Sequence, residues 1–143
     1  MKKILFIHGA NLQYLGKRQP EIYGRTTAAE ADQMCREHAK EKGFDLEIFY
    51  TNHEGEAIDK IYQAKELGVH ALVMNPGGFT YSGRALADAV LGVQKPYVEV
   101  HLTNHYQRNI HSEIAHAAQA VILGPGVFGY LLGLDAALHL VEK

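Results

Sequence analysis

His70-Ala71-Leu72-Val73-Met74-Asn75-Pro76-Gly77-Gly78 is the stretch on which the fold turns. From Ala71 to Met74 nothing polar alternates with the apolar residues. A strand of that kind has no wet face and belongs inside a parallel sheet covered on both sides. Asn-Pro-Gly-Gly then stops the strand and opens a loop at its carboxyl end. Working back from this third strand, a helix from about Gly55 is expected to bury Ile58, Ile61, Tyr62 and Leu67 at helical spacing and ends at Gly68. Phe44 to Tyr50 forms strand two. Before it, Thr27 and Glu30 make a capping box that starts a helix running to about Lys42 and stopping at Gly43. Strand one is Lys3 to His8. Working forward, a helix spans about Ser82 to Leu91, strand four is Tyr97 to Leu102, strand five is Ala120 to Leu123, and a helix covers Val127 to Val141. Asn104 to Ala118 takes neither pattern.

Strands that alternate with helices imply a single α/β domain over residues 1–143. Five of them fit a flavodoxin-like three-layer fold, a parallel sheet in order 2-1-3-4-5. Ligands of such folds bind outside the carboxyl ends of the strands, where the winding reverses. Those ends read His8-Gly9-Ala10-Asn11, Asn75-Pro76-Gly77-Gly78 and Glu99-Val100-His101-Leu102-Thr103, so two asparagines and a histidine converge on one crevice.

Composition narrows the function. With 143 residues and 47% hydrophobic content the chain builds one core. A net charge of −2, from 14 basic and 16 acidic residues, offers no footprint for nucleic acid or an anionic membrane. A small neutral or anionic ligand remains. Cys35 is the sole cysteine, so no internal disulfide forms, and its helical position suggests packing. MKKILFIHGA is read as a first strand rather than a leader, and no apolar run approaches the roughly 18 residues of a membrane span. The expected location is the cytoplasm.

His101 closes strand four, and the period of two places Glu99 on the same face. A carboxylate there can orient the imidazole or raise its pKa, giving an acid or base near neutral pH; the alternative is a histidine that merely caps a strand. His105 and His111 raise the question of a metal, but no ligand spacing such as His-Glu-x-x-His is present and none is expected. Between Gly16 and Gly24 the loop carries Arg18, Pro20, Glu21 and Tyr23, with hinge glycines at both ends, as in a lid. A guanidinium beside a phenol favours phenolate, so Tyr23 is either a base or a surface tyrosine next to a solvated arginine.

Taken together, Asn11-Leu12 through Leu15-Gly16, Arg18, Pro20-Glu21-Ile22-Tyr23-Gly24, Asn52 with Glu54-Gly55-Glu56, Asn75-Pro76-Gly77, Glu99-Val100-His101-Leu102 and Gly129-Tyr130-Leu131-Leu132 resemble one family, the type II 3-dehydroquinate dehydratases of the shikimate and quinate pathways. The resemblance covers almost the whole chain. It implies a small-molecule substrate, trimers assembled within a dodecamer, no metal or organic cofactor, and an anti elimination of water through an enolate. It further implies that Tyr23 is the base, Arg18 the lid arginine favouring its phenolate, and Asn11 the holder of a water against the enolate oxygen. His101 becomes the acid that protonates the leaving hydroxyl, oriented by Glu99. Asn75, Gly77, Leu102, Thr103 and Asp88 fall in the substrate-binding set.

Several positions depart from the family pattern. His8-Gly9-Ala10-Asn11 stands for Asn-Gly-Pro-Asn, Tyr81 for a substrate-binding histidine, and Thr103 for serine. Gln107 to Ser112 replaces the segment whose arginine grips the ring hydroxyls, and no match for that arginine is found. Tyr81 and Gln107 to Ser112 are expected to line the pocket, with His8 or His111 as replacement donors. The expected activity is dehydration of 3-dehydroquinate; the alternatives are a different cyclic or β-hydroxy carbonyl substrate, or a ligand-binding flavodoxin-like module. A flavin mononucleotide site is disfavoured because the turn after strand one lacks a Ser/Thr-rich phosphate loop.

Overall fold

The apolar run at the centre of the chain becomes strand β3, Ala71–Gly77, buried from Ala71 to Pro76. The computed structural model describes residues 1–142. With β1 (Lys3–Ala10), β2 (Asp45–Tyr50), β4 (Tyr97–His101) and β5 (Ala120–Leu123) it forms a parallel sheet in the order β2-β1-β3-β4-β5. This is the flavodoxin-like order expected from the sequence.

Alternation along the strands sorts the core into two layers. Leu5, Ile7, Leu72 and Met74 face helices α3 (Glu54–Glu66) and α4 (Arg84–Val93). Ile4, Phe6, Val73, Val98 and Val100 face α2 (Ala28–Lys42) and α5 (Phe128–Glu142). Cys35 lies in this second layer, where burial pushes its thiol up to about 12, as suits a packing residue. The capping box forms as its spacing predicts: Thr27 Oγ1 accepts from the Glu30 N–H and the Glu30 carboxylate accepts from the Thr27 N–H. Gly43 ends α2 in the left-handed conformation.

Two readings are corrected. Helix α3 buries Ala57, Ile61 and Ala64, whereas Tyr62 and Leu67 are exposed and Ile58 is half-buried. Small alanines on the 57-61-64 stripe let the helix lie close to the sheet and rotate the larger side chains outward. Strands β1 and β3 also run further than expected, pairing through Ala10↔Gly77. Pairing of β3 with β4 stops at Met74↔Glu99, so Pro76, which has no N–H, forfeits no ladder bond on that side. Between β4 and β5 the chain makes two 3₁₀ turns, His105–Arg108 and Ala115–Ala117.

Candidate active site

The carboxyl ends of β1, β3 and β4 open onto one cavity. Asn11, Arg18, Tyr23, Asn75, Gly77, Tyr81, His101, Leu102 and Thr103 line it, joined by His105, Arg108 and Ile110. Glu99 sits one layer behind. Asp88 does not reach this cavity: it is exposed on α4, 4.0 Å from Arg84.

Strand β4 builds the acid-base side. Tyr97, Glu99 and His101 share one face by the period of two, and all three are buried. The Glu99 carboxylate accepts from the Tyr97 hydroxyl at 2.7 Å and faces His101 Nε2 at 2.7 Å. Burial first, and then the Glu99 charge, push the Tyr97 phenol far above its ordinary pKa, so it remains a donor. An ionised carboxylate orients the imidazole with Nε2–H toward itself, leaving Nδ1 for the cavity. His105 packs edge-to-face on His101, ring centroids 4.3 Å apart, and restricts the ring further. Glu99→Gln retains size but presents an amide N–H or carbonyl to His101 and loses the charge. We expect it to lower kcat by about ten- to a hundredfold and to alter the pH profile, a misoriented or mistautomerised general acid being the cause; steady-state kinetics with a pH series tests it, and an unchanged profile contradicts it.

Facing this is the lid. Pro20–Tyr23 forms a single helical turn, α1, opened by proline at its first position and closed by Gly24. Arg108 Nη1 donates to the Tyr23 hydroxyl at 3.3 Å, and Arg108 Nη2 donates to Thr103 Oγ1 at 3.0 Å. The Arg18 and Arg108 guanidinium carbons lie 5.3 and 5.6 Å from the Tyr23 ring centroid. Burial alone would raise the phenol's pKa. The hydrogen bonds and charges of the two arginines, Arg108 ahead of Arg18, outweigh it and draw the phenol below its ordinary value.

The floor is fixed by close approach. A side chain at Gly77, where φ is +55°, would collide with the Ala10 carbonyl, so only glycine lets the ends of β1 and β3 come together. Asn75 donates to the Tyr130 hydroxyl at 2.9 Å and accepts the Gly77 N–H at 3.2 Å. Asn11 begins the first loop in the left-handed conformation, φ 76°.

Residues 2–138 match the family model described as "Dehydroquinase class II". The chain belongs to the class II dehydroquinase family. Its curated relatives include the 3-dehydroquinate dehydratase of Polynucleobacter asymbioticus, 45% identical over 98% of this chain and 96% of that protein. Another is "Catabolic 3-dehydroquinase 1" of Neosartorya fischeri, 42% identical over 99% and 97%. The crystal structure of the type II dehydroquinase of Butyrivibrio crossotus superposes with a TM-score of 0.91 at 34% identity, covering 99% of this chain and 98% of that one. The chain is thus an enzyme of the hydro-lyase class.

For this dehydroquinase-family chain, three expectations about the pocket change. Arg108 brings to the cavity a guanidinium that sequence comparison did not match; it is the only arginine between β4 and β5, one turn beyond a strand that ends in the site. His8 is no replacement donor, for its ring is sealed in the core and stacked between Phe6 and Tyr50. His111 is exposed and lies against Tyr106 rather than in the cavity. Of Gln107 to Ser112, Arg108 and Ile110 line the cavity, while the Ser112 hydroxyl accepts the Ile114 and Ala115 N–H groups. Tyr81 lines it from the rim, 63% exposed.

Proposed function

We propose that the protein dehydrates 3-dehydroquinate to 3-dehydroshikimate by anti elimination through an enolate. The observation that carries this reading is a phenol with a depressed pKa, flanked by two guanidinium groups, sharing one cavity with a carboxylate-oriented imidazole. Base and acid reach the substrate from different walls, the lid and β4, as an elimination with separate proton removal and leaving-group protonation requires.

In this mechanism the Tyr23 phenolate takes the proton next to the ketone, and the C–H electron pair forms a C=C bond as the carbonyl pair moves onto the ketone oxygen, giving an enolate. Asn11 stabilises the enolate oxygen through a held water, an interaction worth most in the transition state. The enolate collapses, the carbon–oxygen bond breaks, and His101, acting as an imidazolium whose Nε2–H is held by Glu99, gives its Nδ1 proton to the departing hydroxyl, which leaves as water. Asn75, Gly77, Leu102, Thr103 and Tyr81 surround the rest of the substrate. Asp88, exposed on α4, would serve a site only from a neighbouring copy; assembly as trimers within a dodecamer is part of this proposal and rests on the family resemblance. No cofactor is assigned a step.

The test is ultraviolet detection of the conjugated enone formed from 3-dehydroquinate. Sustained turnover is expected, and its absence with correctly folded protein contradicts the reading. Among the described residues no lysine lines the cavity, so borohydride added during turnover should leave the protein mass unchanged; a stable adduct would demand an imine mechanism.

A further inference from the structure

Asn52 lies in the motif Asn52-His53-Glu54-Gly55-Glu56, to which neither the acid-base pair nor the substrate contacts assign a task. It follows β2, the strand next to β1, and its side chain crosses to the start of the first loop. Asn52 Oδ1 accepts the Asn11 N–H at 2.9 Å, and Asn52 Nδ2 donates to Gln13 Oε1 at 2.9 Å. The Asn11 carbonyl in turn accepts the Tyr14 N–H at 3.1 Å, and the Tyr14 carbonyl accepts the Arg18 N–H at 3.0 Å.

Asn11 therefore has both backbone groups tied down in a left-handed conformation that asparagine tolerates better than other L-residues. Its side chain lies against the end of β3: a Cβ built on Gly78 would stand 3.7 Å from Asn11 Nδ2. The carboxamide thus lies beside Gly78, while the Asn52 bridge holds the backbone from which it projects. Asn52 itself is steadied by its neighbour. The Thr51 hydroxyl donates to Glu56 and accepts the His53 N–H, while the Thr51 N–H donates to the His8 carbonyl. The motif reads as a mount: Glu56 and Thr51 fix the turn, and Asn52 reaches out from it.

We propose that Asn52 is a positioning residue for catalysis, holding the Asn11 backbone and so its carboxamide in the working orientation. This rests on the reading of Asn11 as the enolate-stabilising group. Both of its hydrogen bonds are exposed to solvent, so its contribution to global stability is small, whereas a small reorientation of Asn11 is felt directly in the transition state. One neutral hydrogen bond is worth roughly two- to twelvefold in an equilibrium, and the loss in rate should lie at the upper end of that span.

The experiment is a double-mutant cycle on the full-length protein assayed with 3-dehydroquinate. Asn52→Ala should lower kcat about tenfold with KM changed less than about threefold, and with the thermal midpoint preserved. The Asn11→Ala/Asn52→Ala double variant should be no slower than Asn11→Ala alone, because the mount has nothing left to hold. Asn52→Asp, which keeps the acceptor for the Asn11 N–H, should recover part of the rate. If Asn11→Ala is impaired while Asn52→Ala is not, or if the two losses multiply, the positioning role is overturned. If Asn11→Ala itself keeps the wild-type rate, the fault lies in the reading of Asn11 instead.

Discussion

Tyr23→Phe is expected to lower kcat by about a thousandfold or more without altering the thermal midpoint, since general-base catalysis contributes on the order of 10² to 10⁴ and phenylalanine removes the base outright. The ring stays, so its contacts with Arg18 and Arg108 persist. Tyr23 belongs to a four-residue turn on the lid rather than to either core layer's fully buried set. The arginines offer a sharper test. In the proposed mechanism phenolate is the active form, so activity should rise with pH as the phenol ionises, and a lowered pKa brings that rise closer to neutrality. Arg108→Ala and Arg18→Ala should each move the rise to higher pH. Arg108→Ala should move it further, because the hydrogen bond and charge of Arg108 lower the phenol's pKa more than those of Arg18 do. Near-normal turnover by Tyr23→Phe would remove it from the mechanism. A larger shift for Arg18→Ala would mean that the lid closes differently in the working enzyme.

How much of this was legible in the sequence depends on the range of the interaction. Ala71 to Met74 declared a doubly covered strand because its environment is uniform along its length, and the Thr27–Glu30 box declared a helix start because both partners lie within three residues. Helix α3 was placed correctly but rotated wrongly in the reading. Periodicity marks an apolar stripe, yet Ile58 and Tyr62 compete with Ala57 and Ala64 for it, and the close approach of the sheet decides for alanine. The catalytic face of β4 followed from the period of two through Glu99 and His101. The same period of two places Tyr97 on this face, and its hydroxyl completes the line by donating to Glu99.

Arg108 was missed for a different reason. It sits in a segment with neither helical nor strand periodicity, and only the 3₁₀ turn over His105–Arg108 folds it back onto Tyr23, 85 residues away in sequence. The turn also buries His105 against His101. No local pattern encodes either contact. Asn52 shows the converse: resemblance singled out its motif, but the purpose became readable only when β2 and β1 were seen to end side by side.

His8 yields the second large effect, in stability rather than rate. Its ring stacks on Phe6 at 4.2 Å and on Tyr50 at 4.3 Å and meets Tyr130 edge-on at 5.2 Å; both ring nitrogens are buried without a hydrogen-bond partner. Burial lowers its pKa to about 3, against an ordinary value of about 6.5 in the unfolded chain. The unfolded state therefore binds the proton first as pH falls. The stability tied to neutral His8 is fully present above about pH 6.5 and is lost progressively down to about pH 3. Between pH 7.5 and 4.5 the loss amounts to about 2.7 kcal/mol, roughly a hundredfold in the folding equilibrium. Among the described residues no carboxylate hydrogen-bonds the ring; Asp32 is one step away, accepting the Tyr50 hydroxyl at 2.7 Å. Burial raises the Asp32 pKa, so its own protonation opposes the loss and acts in the same sense whichever ring occupies position 8. His8→Phe keeps a flat ring in the stack and removes the titration. Urea unfolding at the two pH values should show the wild type losing about 2–3 kcal/mol more than His8→Phe. Equal losses in the two proteins would mean that His8 meets a partner or water in solution and that the acid sensitivity of the fold originates elsewhere.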